Sequence, residues 1–246
     1  MKAIIFAAGL GSRLKPLTDN TPKALLTVNG KPLLAHAIEK LQHAGVTEII
    51  VNVHHLAEQI VAYLENNHHH GVMFSISDEY DLLLDTGGGL KKAAPFFNDG
   101  QPFFAYNVDI LTDMDLSAMM DFHCKHDALA TLAVSDRATA RYLLFDNNRR
   151  LKGWTNVKTD EVIPQNADLQ YLRKRAFSGI HIINPKLLHL LDGEGNFPII
   201  PEYLRLCAEH LILGYDHTGD YWIDMGKMES VTRYALRVSF STGKTH

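Results

Sequence analysis

The 246-residue chain has little cysteine, no long apolar run and no excess of basic charge. Its two cysteines, Cys124 and Cys207, stand in unrelated contexts, which excludes a disulfide framework and fits a reducing cytoplasm. No apolar stretch reaches the ~18 residues that a membrane helix needs. A formal net charge of −4 does not supply the basic face that nucleic-acid binding requires. We therefore predict a cytoplasmic protein whose partners are neither nucleic acid nor a membrane.

Apolar runs alternate with helical patterns through the first half of the chain. Short buried-strand patterns occur at 3–7, 48–53, 73–76 and 103–106, and amphipathic helical patterns lie between them. Such alternation is typical of strands that run parallel with helices covering both faces of the sheet. The sequence thus predicts an α/β fold, a Rossmann-like three-layer α/β/α arrangement around a mostly parallel mixed central sheet.

The second half is less regular, and nothing in it marks a linker. A hairpin is expected at 142–154 around the Asp146-Asn147-Asn148 turn, followed by a polar, irregular stretch from Lys158 to Leu169 that suggests a flap. Helices are expected at 185–191, 198–209 and 227–238, with a frayed tail at 239–246. We predict a single domain spanning residues 1–238.

The most specific pattern lies in the first 26 residues. A short apolar strand opens into a turn that carries Gly9, Gly11 and Ser12, then Arg13, and Lys23 follows a proline. Glycine lets backbone N–H groups approach an anion closely, and arginine offers a planar fork of donors to phosphate oxygens. A strand that delivers such a loop to the edge of a sheet predicts a phosphate-binding site.

Two familiar phosphate-binding motifs fail on this chain. The dinucleotide fingerprint needs a third glycine where Leu14 stands, so a nicotinamide or flavin site is not expected. A P-loop needs a glycine where Val238 stands, ahead of Gly243-Lys244-Thr245. Neither motif accounts for Arg13 and Lys23 together.

The segment Gly-x-Gly-Ser-Arg-Leu-x-Pro-Leu-Thr, followed by Pro-Lys, resembles the motif of the sugar-1-phosphate nucleotidyltransferases. The resemblance implies attack by a sugar phosphate on the α-phosphorus of an NTP, which yields a nucleotide-sugar and pyrophosphate. It also implies roles for the loop residues. Backbone groups of Ala8, Gly9, Gly11 and Ser12 would cradle phosphates. Arg13 would hold the leaving pyrophosphate and Lys23 the α-phosphate and the sugar phosphate, as the catalytic pair.

Two acids match the family's metal-binding positions. Asp109 follows the strand at 103–106, at the carboxyl end where α/β sheets bind ligands, and by resemblance it binds Mg²⁺. Asp224, in Tyr221-Trp222-Ile223-Asp224-Met225-Gly226, resembles the second carboxylate. Val108 stands where the family commonly has glycine, which raises the question of how the metal loop is shaped. We expect Mg²⁺ as cofactor, held between Asp109 and Asp224.

Three further segments resemble the family's substrate pockets. The run Asp85-Thr86-Gly87-Gly88-Gly89 opens a helix, and its glycines suggest close backbone approach to the nucleoside, with Thr86, Gly87 and Gly88 as contacts. Asn107 and Gly179 are expected to contact the sugar. Residues 1–135 would then bind mainly nucleotide. Residues 136–238 would bind mainly the sugar, through a small β subregion, and supply the second metal ligand.

The substrates are less closely defined by these motifs. The triple glycine, the short length and the Trp222 segment resemble the N-acetylmuramate 1-phosphate uridylyltransferases, so UTP and an amino-sugar 1-phosphate are favoured. Mannose-1-phosphate guanylyltransferase and phosphocholine cytidylyltransferase activities stay open, as does a non-catalytic nucleotide-sugar-binding module. The oligomeric state cannot be read from the chain. The His68-His69-His70 cluster is expected to be a solvated loop.

Overall fold

The computed structural model describes residues 1–67 and 71–232. The histidine cluster at 68–70, the end of the expected final helix and the 239–246 tail lie outside the described residues. The strands, in chain order, are β1 (Lys2–Phe6), β2 (Thr27–Val28), β3 (Lys31–Pro32), β4 (Glu48–Val53), β5 (Met73–Asp78), β6 (Phe103–Asn107), β7 (Ile110–Thr112), β8 (Ala130–Ser135), β9 (Arg141–Phe145), β10 (Leu151–Asn156), β11 (Glu161–Ile163), β12 (Arg173–Ile183), β13 (Ile212–Asp216) and β14 (Trp222–Asp224).

Ten of these strands form one mixed sheet in the order β11-β10-β9-β12-β6-β1-β4-β5, and β8 and β13 extend it beside β12. The half made of β6-β1-β4-β5 is parallel throughout. The long strand β12 runs antiparallel to β6, β8 and β9, and so joins this half to the β9–β10–β11 ribbon. The expected α/β fold with a mostly parallel mixed sheet is confirmed.

Helices cover both faces of the sheet. They are α1 (Leu33–His43), α2 (Ala57–Asn66), α3 (Asp85–Lys92), α4 (Leu116–His126) and α5 (Ile199–Leu206). The alternation along β1 separates two cores, because Ala3 and Ile5 pack with α1, α2 and α4, whereas Ile4 and Phe6 pack with α3 and α5. The three-layer arrangement follows from this alternation. Within the described residues, no helix has the length and apolarity needed to cross a membrane.

The main elements agree with the sequence predictions, and four details differ. The stretch Lys158–Leu169 is not wholly irregular, because Glu161–Ile163 pairs with β10 as strand β11. The helix expected at 185–191 is a 3-10 helix over Pro185–Leu190. The helix expected at 198–209 spans only Ile199–Leu206. Strand β7 was not expected, and it pairs with β14 in a separate two-stranded sheet.

Candidate active site

A cavity of about 360 Å³ opens beyond the carboxyl ends of the parallel strands β1, β4, β5 and β6. Ligands bind at this edge of open α/β sheets, and the volume suits a small ligand. The cavity is lined by Phe6, Ala8, Gly9, Arg13, Lys23, Asn52, Glu79, Leu83, Asp85, Thr86, Asn107, Asp109 and Asn196. Seven of the expected site residues are among them, namely Ala8, Gly9, Arg13, Lys23, Thr86, Asn107 and Asp109.

The first loop is folded tightly beside Lys23. Gly11 has a φ of 64°, and a Cβ on it would lie 2.7 Å from the Thr18 Cγ2 atom. The Thr18 hydroxyl donates to the Gly11 carbonyl, and Ser12–Leu14 forms a 3-10 turn. Only glycine satisfies both the left-handed backbone and this close approach. The structure thus explains Gly11 as a feature of the loop's shape, and Ser12 sits in the turn outside the cavity lining.

Lys23 is held by the predicted metal ligand Asp109. The Lys23 Nζ atom lies 2.9 Å from Asp109 Oδ2, and both side chains are largely buried. The lysine begins a short 3-10 turn after Pro22, whose extended backbone aims the side chain back under the loop. This ion pair places one fixed positive and one fixed negative charge at the floor of the cavity.

The two predicted metal carboxylates come together at Gly226. Strand β14 pairs with β7 so that Asp224 is opposite Ile110, and the Met225 N–H donates to the Asp109 carbonyl. A Cβ on Gly226 would lie 2.5 Å from Asp109 Oδ2 and 2.9 Å from Asp224 Oδ1, so both oxygens border the same small space. The Arg13 Nη2 atom lies 3.3 Å from the same Cβ position.

This donor set fits a Mg²⁺ ion that takes its other ligands from substrate. Mg²⁺ binds through one or two carboxylates plus phosphate oxygens and water. Within the part of the chain that the structure describes, no cluster of three or more acidic, histidine or cysteine side chains could enclose a metal. A site built from Asp109 and Asp224 would therefore be completed by the phosphates of the substrates.

The glycines at the start of α3 are explained by packing against the protein. A Cβ on Gly87 would lie 2.4 Å from the Phe197 ring, and one on Gly88 would lie 2.2 Å from the Gly195 carbonyl. The N–H groups of Gly87 and Gly88 both donate to the Phe197 carbonyl. These glycines thus allow the 193–197 segment to cross the helix start, whereas Thr86 reaches the cavity. Nucleoside contact stays a prediction for all three residues.

Asn107 and Gly179 meet at the other side of the cavity. Gly179 has a φ of 77°, and a Cβ on it would lie 2.9 Å from Asn107 Nδ2. A side chain at Gly179 would thus displace Asn107 from the cavity wall. Val108 stands where the family commonly has glycine, and its side chain is fully buried in the core that packs against β1. The side chain therefore does not block Asp109, which lines the cavity.

Sequence reasoning missed Asn52 and Glu79. The Asn52 side chain accepts from the N–H groups of Ala7 and Ala8, at 2.6 and 3.2 Å, and donates to Glu79 Oε1 at 2.7 Å. Glu79 Oε2 accepts from the Leu84 N–H, and burial raises the pKa of this carboxyl. The signal was available, since a polar residue near the carboxyl end of each of two neighbouring parallel strands predicts a shared site.

Comparisons with known proteins find similar sequences along nearly the whole chain. Residues 2–239 match the family model described as nucleotidyl transferase. The chain is 32% identical over 227 residues to N-acetylmuramate alpha-1-phosphate uridylyltransferase of Neisseria meningitidis serogroup B, covering 92% of this chain and 93% of the relative. It is 30% identical over 257 residues to mannose-1-phosphate guanyltransferase of Candida albicans, covering all of this chain and 67% of that enzyme.

Solved structures share the fold at lower identity. A UDP-glucose pyrophosphorylase in complex with UDP-glucose superposes with a TM-score of 0.81 at 16% identity, covering 98% of each chain. An inositol-1-phosphate CTP transferase from T. maritima superposes with a TM-score of 0.74 at 18% identity, covering 100% of this chain and 98% of that one. At this level of identity the likeness concerns the fold alone.

Proposed function

This chain belongs to the nucleotidyl transferase family, and from that premise we propose that it joins an NTP to a sugar 1-phosphate and releases pyrophosphate. One observation supports the proposal most directly. Arg13, Lys23 and Asp109 line one cavity at the carboxyl edge of the sheet, and Asp224, distant in sequence, borders the small space at Gly226 together with Asp109 and Arg13. A reaction between two phosphorylated substrates needs this mixture of cations and metal-binding carboxylates.

The chain's own residues position the substrates and neutralise charge. The attacking sugar phosphate is already anionic, so the reaction needs no general base. Lys23, which lines the cavity and is paired with Asp109, would contact the α-phosphate and the incoming phosphate and offset their repulsion. The Arg13 guanidinium borders the same space as these two carboxylates, Asp109 and Asp224. It would bind the departing pyrophosphate through its planar set of N–H donors.

Asp109 and Asp224 are the residues that would hold Mg²⁺. The ion, when bound, neutralises negative charge on the phosphates during transfer. Lys23 and a bound ion would both contact Asp109, so we expect the Lys23–Asp109 distance of 2.9 Å to lengthen as the lysine turns toward substrate. Asp224 keeps its backbone contact, because its Oδ1 atom accepts from the Gly226 N–H.

We propose UTP as donor and an amino-sugar 1-phosphate such as N-acetylmuramate 1-phosphate as acceptor. The support is the similarity to uridylyltransferases of Neisseria meningitidis and Caulobacter vibrioides, which this chain matches over 93% and 91% of their lengths. We further propose that residues 1–135 bind mainly nucleotide and that the part from residue 136 onward binds mainly the sugar. Asn107 and Gly179, at the junction, would contact the sugar.

Mannose-1-phosphate guanylyl transfer is the second candidate, favoured by the 30% identity to the Candida albicans enzyme over the whole chain. The chain spans only 67% of that enzyme's length. Because the chain matches 93% and 91% of the lengths of the two uridylyltransferases, we rank guanylyl transfer second.

A substrate panel tests the proposal. Pyrophosphate release would be measured with Mg²⁺ for UTP, GTP and CTP, each paired with N-acetylmuramate 1-phosphate, N-acetylglucosamine 1-phosphate, mannose 1-phosphate and phosphocholine. We expect the highest kcat/KM for UTP with N-acetylmuramate 1-phosphate. A maximum for GTP with mannose 1-phosphate would establish the second candidate instead. Binding of nucleotide without release from any pair would refute catalysis.

A further inference from the structure

A second cavity, of about 440 Å³, lies between the β9–β10–β11 ribbon and α5. Much of its wall is apolar, formed by side chains that include Leu143, Trp154, Phe177 and Leu204. Its polar groups are few, and the exposed Arg141 and Glu161 on its rim carry opposite charges. An apolar cavity with a small number of placed polar groups is the usual form of a ligand site. No residue lines both this cavity and the first one among those the structure describes.

Arg137 is the charged side chain held rigidly in this cavity. Its guanidinium carbon lies 4.1 Å from the centroid of the Trp222 ring, and Nη2 donates to the Phe177 carbonyl at 2.6 Å. The Nε atom is buried and has no hydrogen-bond partner among the described residues. A buried N–H donor without an acceptor is costly, so an acceptor oxygen placed beside this guanidinium would relieve that cost.

The cavity adjoins the reacting centre through Arg137. Trp222, on which the guanidinium stacks, is two residues from Asp224, and its indole N–H donates to the Ser178 carbonyl. Burial lowers the pKa of the Arg137 guanidinium, and the Asp224 carboxylate acts against that shift. Gly179, next along β12, abuts Asn107 in the first cavity. Strand β12 thus places Phe177 in the wall of the second cavity and Gly179 against Asn107, which lines the first.

We propose that the second cavity receives a substituent of the acceptor sugar and that Arg137 binds a carboxylate on that substituent. The proposal rests on the proposed function, since it assumes a sugar 1-phosphate at the first cavity. A guanidinium fixed by stacking offers its remaining N–H groups in a plane, which matches the two oxygens of a carboxylate. The apolar wall then contacts the carbon atoms that carry the carboxylate. Arg137 is therefore a determinant of acceptor specificity.

The test compares acceptors that differ only in this substituent. N-acetylmuramate 1-phosphate carries a lactyl ether, its methyl ester keeps the ether but loses the charge and gains one methyl group, and N-acetylglucosamine 1-phosphate lacks the ether. Values of kcat/KM with UTP would be measured for the wild type, Arg137→Met and Arg137→Lys. Arg149→Met is the matched control, because Arg149 also stacks over an aromatic ring, Phe122, and lies outside this cavity.

We expect Arg137→Met to reduce the preference for the free acid over its ester by roughly 10- to 100-fold, as befits loss of hydrogen bonds to a charged group. Arg137→Lys should retain part of the preference, and Arg149→Met all of it. A merely structural role would lower turnover of acid and ester alike. An unchanged preference in Arg137→Met, with N-acetylmuramate 1-phosphate still a substrate, would overturn the role of Arg137 and leave the proposed function intact.

The failure of the proposed function has a different outcome. If the wild type uses neither amino-sugar 1-phosphate, the same variants would be assayed with glucuronate 1-phosphate and glucose 1-phosphate and each NTP. Preference for the acidic sugar that disappears in Arg137→Met would support the carboxylate site and refute only the amino-sugar acceptor. Preference for the uncharged sugar would overturn the carboxylate site.

Discussion

The ammonium of Lys23 lies 2.9 Å from Oδ2 of Asp109, although 86 residues separate them in the chain. The side chains are only 15% and 10% exposed, so little solvent screens the pair. Each group therefore fixes the other where the first loop meets the carboxyl end of β6. This pair links the glycine-containing first loop to the predicted metal site.

Removing the Lys23 charge should reduce catalysis more than folding. Lys23→Ala removes the contact to the phosphates that we propose for this side chain, and losing a preorganised contact costs about 3 kcal/mol of barrier, a fall in kcat of about 100-fold or more. Steady-state kinetics would measure it, and circular dichroism would check the fold. Lys15→Ala is the control, because Lys15 is on the same loop but exposed, paired with Asp19. Near-normal turnover of Lys23→Ala would refute this role.

Asp224→Asn should raise the Mg²⁺ concentration needed for half-maximal activity. The substitution keeps the shape of the side chain and removes the negative charge that borders the Gly226 space. We expect a shift of about 10-fold or more, measured as activity against free Mg²⁺, and complete loss of activity of the wild type with a chelator. Asp121→Asn, on the exposed side of α4, should leave the Mg²⁺ dependence unchanged. Equal curves for the two variants would exclude Asp224 as a ligand.

Gly226→Ala should impair the same site by steric means. Its Cβ would lie 2.5 Å from Asp109 Oδ2 and 2.9 Å from Asp224 Oδ1, distances that force the carboxylates to move. Because a displacement of 1 Å can cost 10²-fold in rate, we expect kcat to fall by about that factor. The Mg²⁺ dependence should worsen together with kcat. Full activity of Gly226→Ala would mean that the space between the carboxylates is not used.

The two candidate metal carboxylates and the basic loop residues could be located from the sequence because each lies in a contiguous motif. Arg13 and Lys23 stand at fixed spacings after a strand, and Asp224 stands within a recognisable hexapeptide. The pairing of β7 with β14, which brings Asp224 to Asp109, could not be predicted. Each strand has only three residues, and their contact depends on a turn of the chain that local periodicity does not encode.

Arg137 and Glu79 escaped prediction for a related reason. Neither belongs to a motif, and each acquires its role from burial and from partners distant in sequence, Trp222 for Arg137 and Asn52 for Glu79. The triple glycine shows a similar gap. The glycines lie at a helix start, as expected, but their close packing against the segment near Phe197 depends on a contact that sequence patterns do not reveal.

Acid should destabilise the protein through buried neutral histidines. Burial lowers the pKa of His123 to about 4, whereas the unfolded chain binds that proton near the ordinary value of 6.5. The unfolded state therefore holds more protons between these values, and the free energy of unfolding falls as the pH falls from 6.5 toward 4. From pH 6.5 to 4.5 His123 alone should contribute a loss of about 2 kcal/mol.

His123→Asn isolates this contribution, because asparagine can still bond the Thr131 hydroxyl that His123 contacts at 2.9 Å. Urea unfolding at pH 6.5, 5.5 and 4.5 should show a shallower loss of stability in the variant. His181, whose pKa burial lowers to about 3, is unaltered and maintains the remaining slope. His55→Asn changes an exposed residue and should keep the wild-type slope. A wild-type slope in His123→Asn would contradict the assignment.

The Asn52–Glu79 pair should tolerate an exchange of its donor and acceptor but not a change of one partner. Asn52→Asp alone places a second carboxylate oxygen against Glu79 Oε1. Glu79→Gln alone leaves an amide donor facing the donor of Asn52 or the Leu84 N–H. Each single change should cost about 1–3 kcal/mol of the free energy of unfolding at pH 7, since buried polar groups lose their partners.

The double variant Asn52→Asp with Glu79→Gln restores complementarity. The new carboxylate still accepts from the Ala7 and Ala8 N–H groups, and the new amide donates to it while its oxygen accepts from Leu84. We expect the double variant to recover at least half of the summed loss, measured by urea unfolding in a double-mutant cycle. Additive losses would show that the two side chains do not act as a pair. Because Asn52 anchors the start of the first loop, the KM for the NTP should follow the same order as stability.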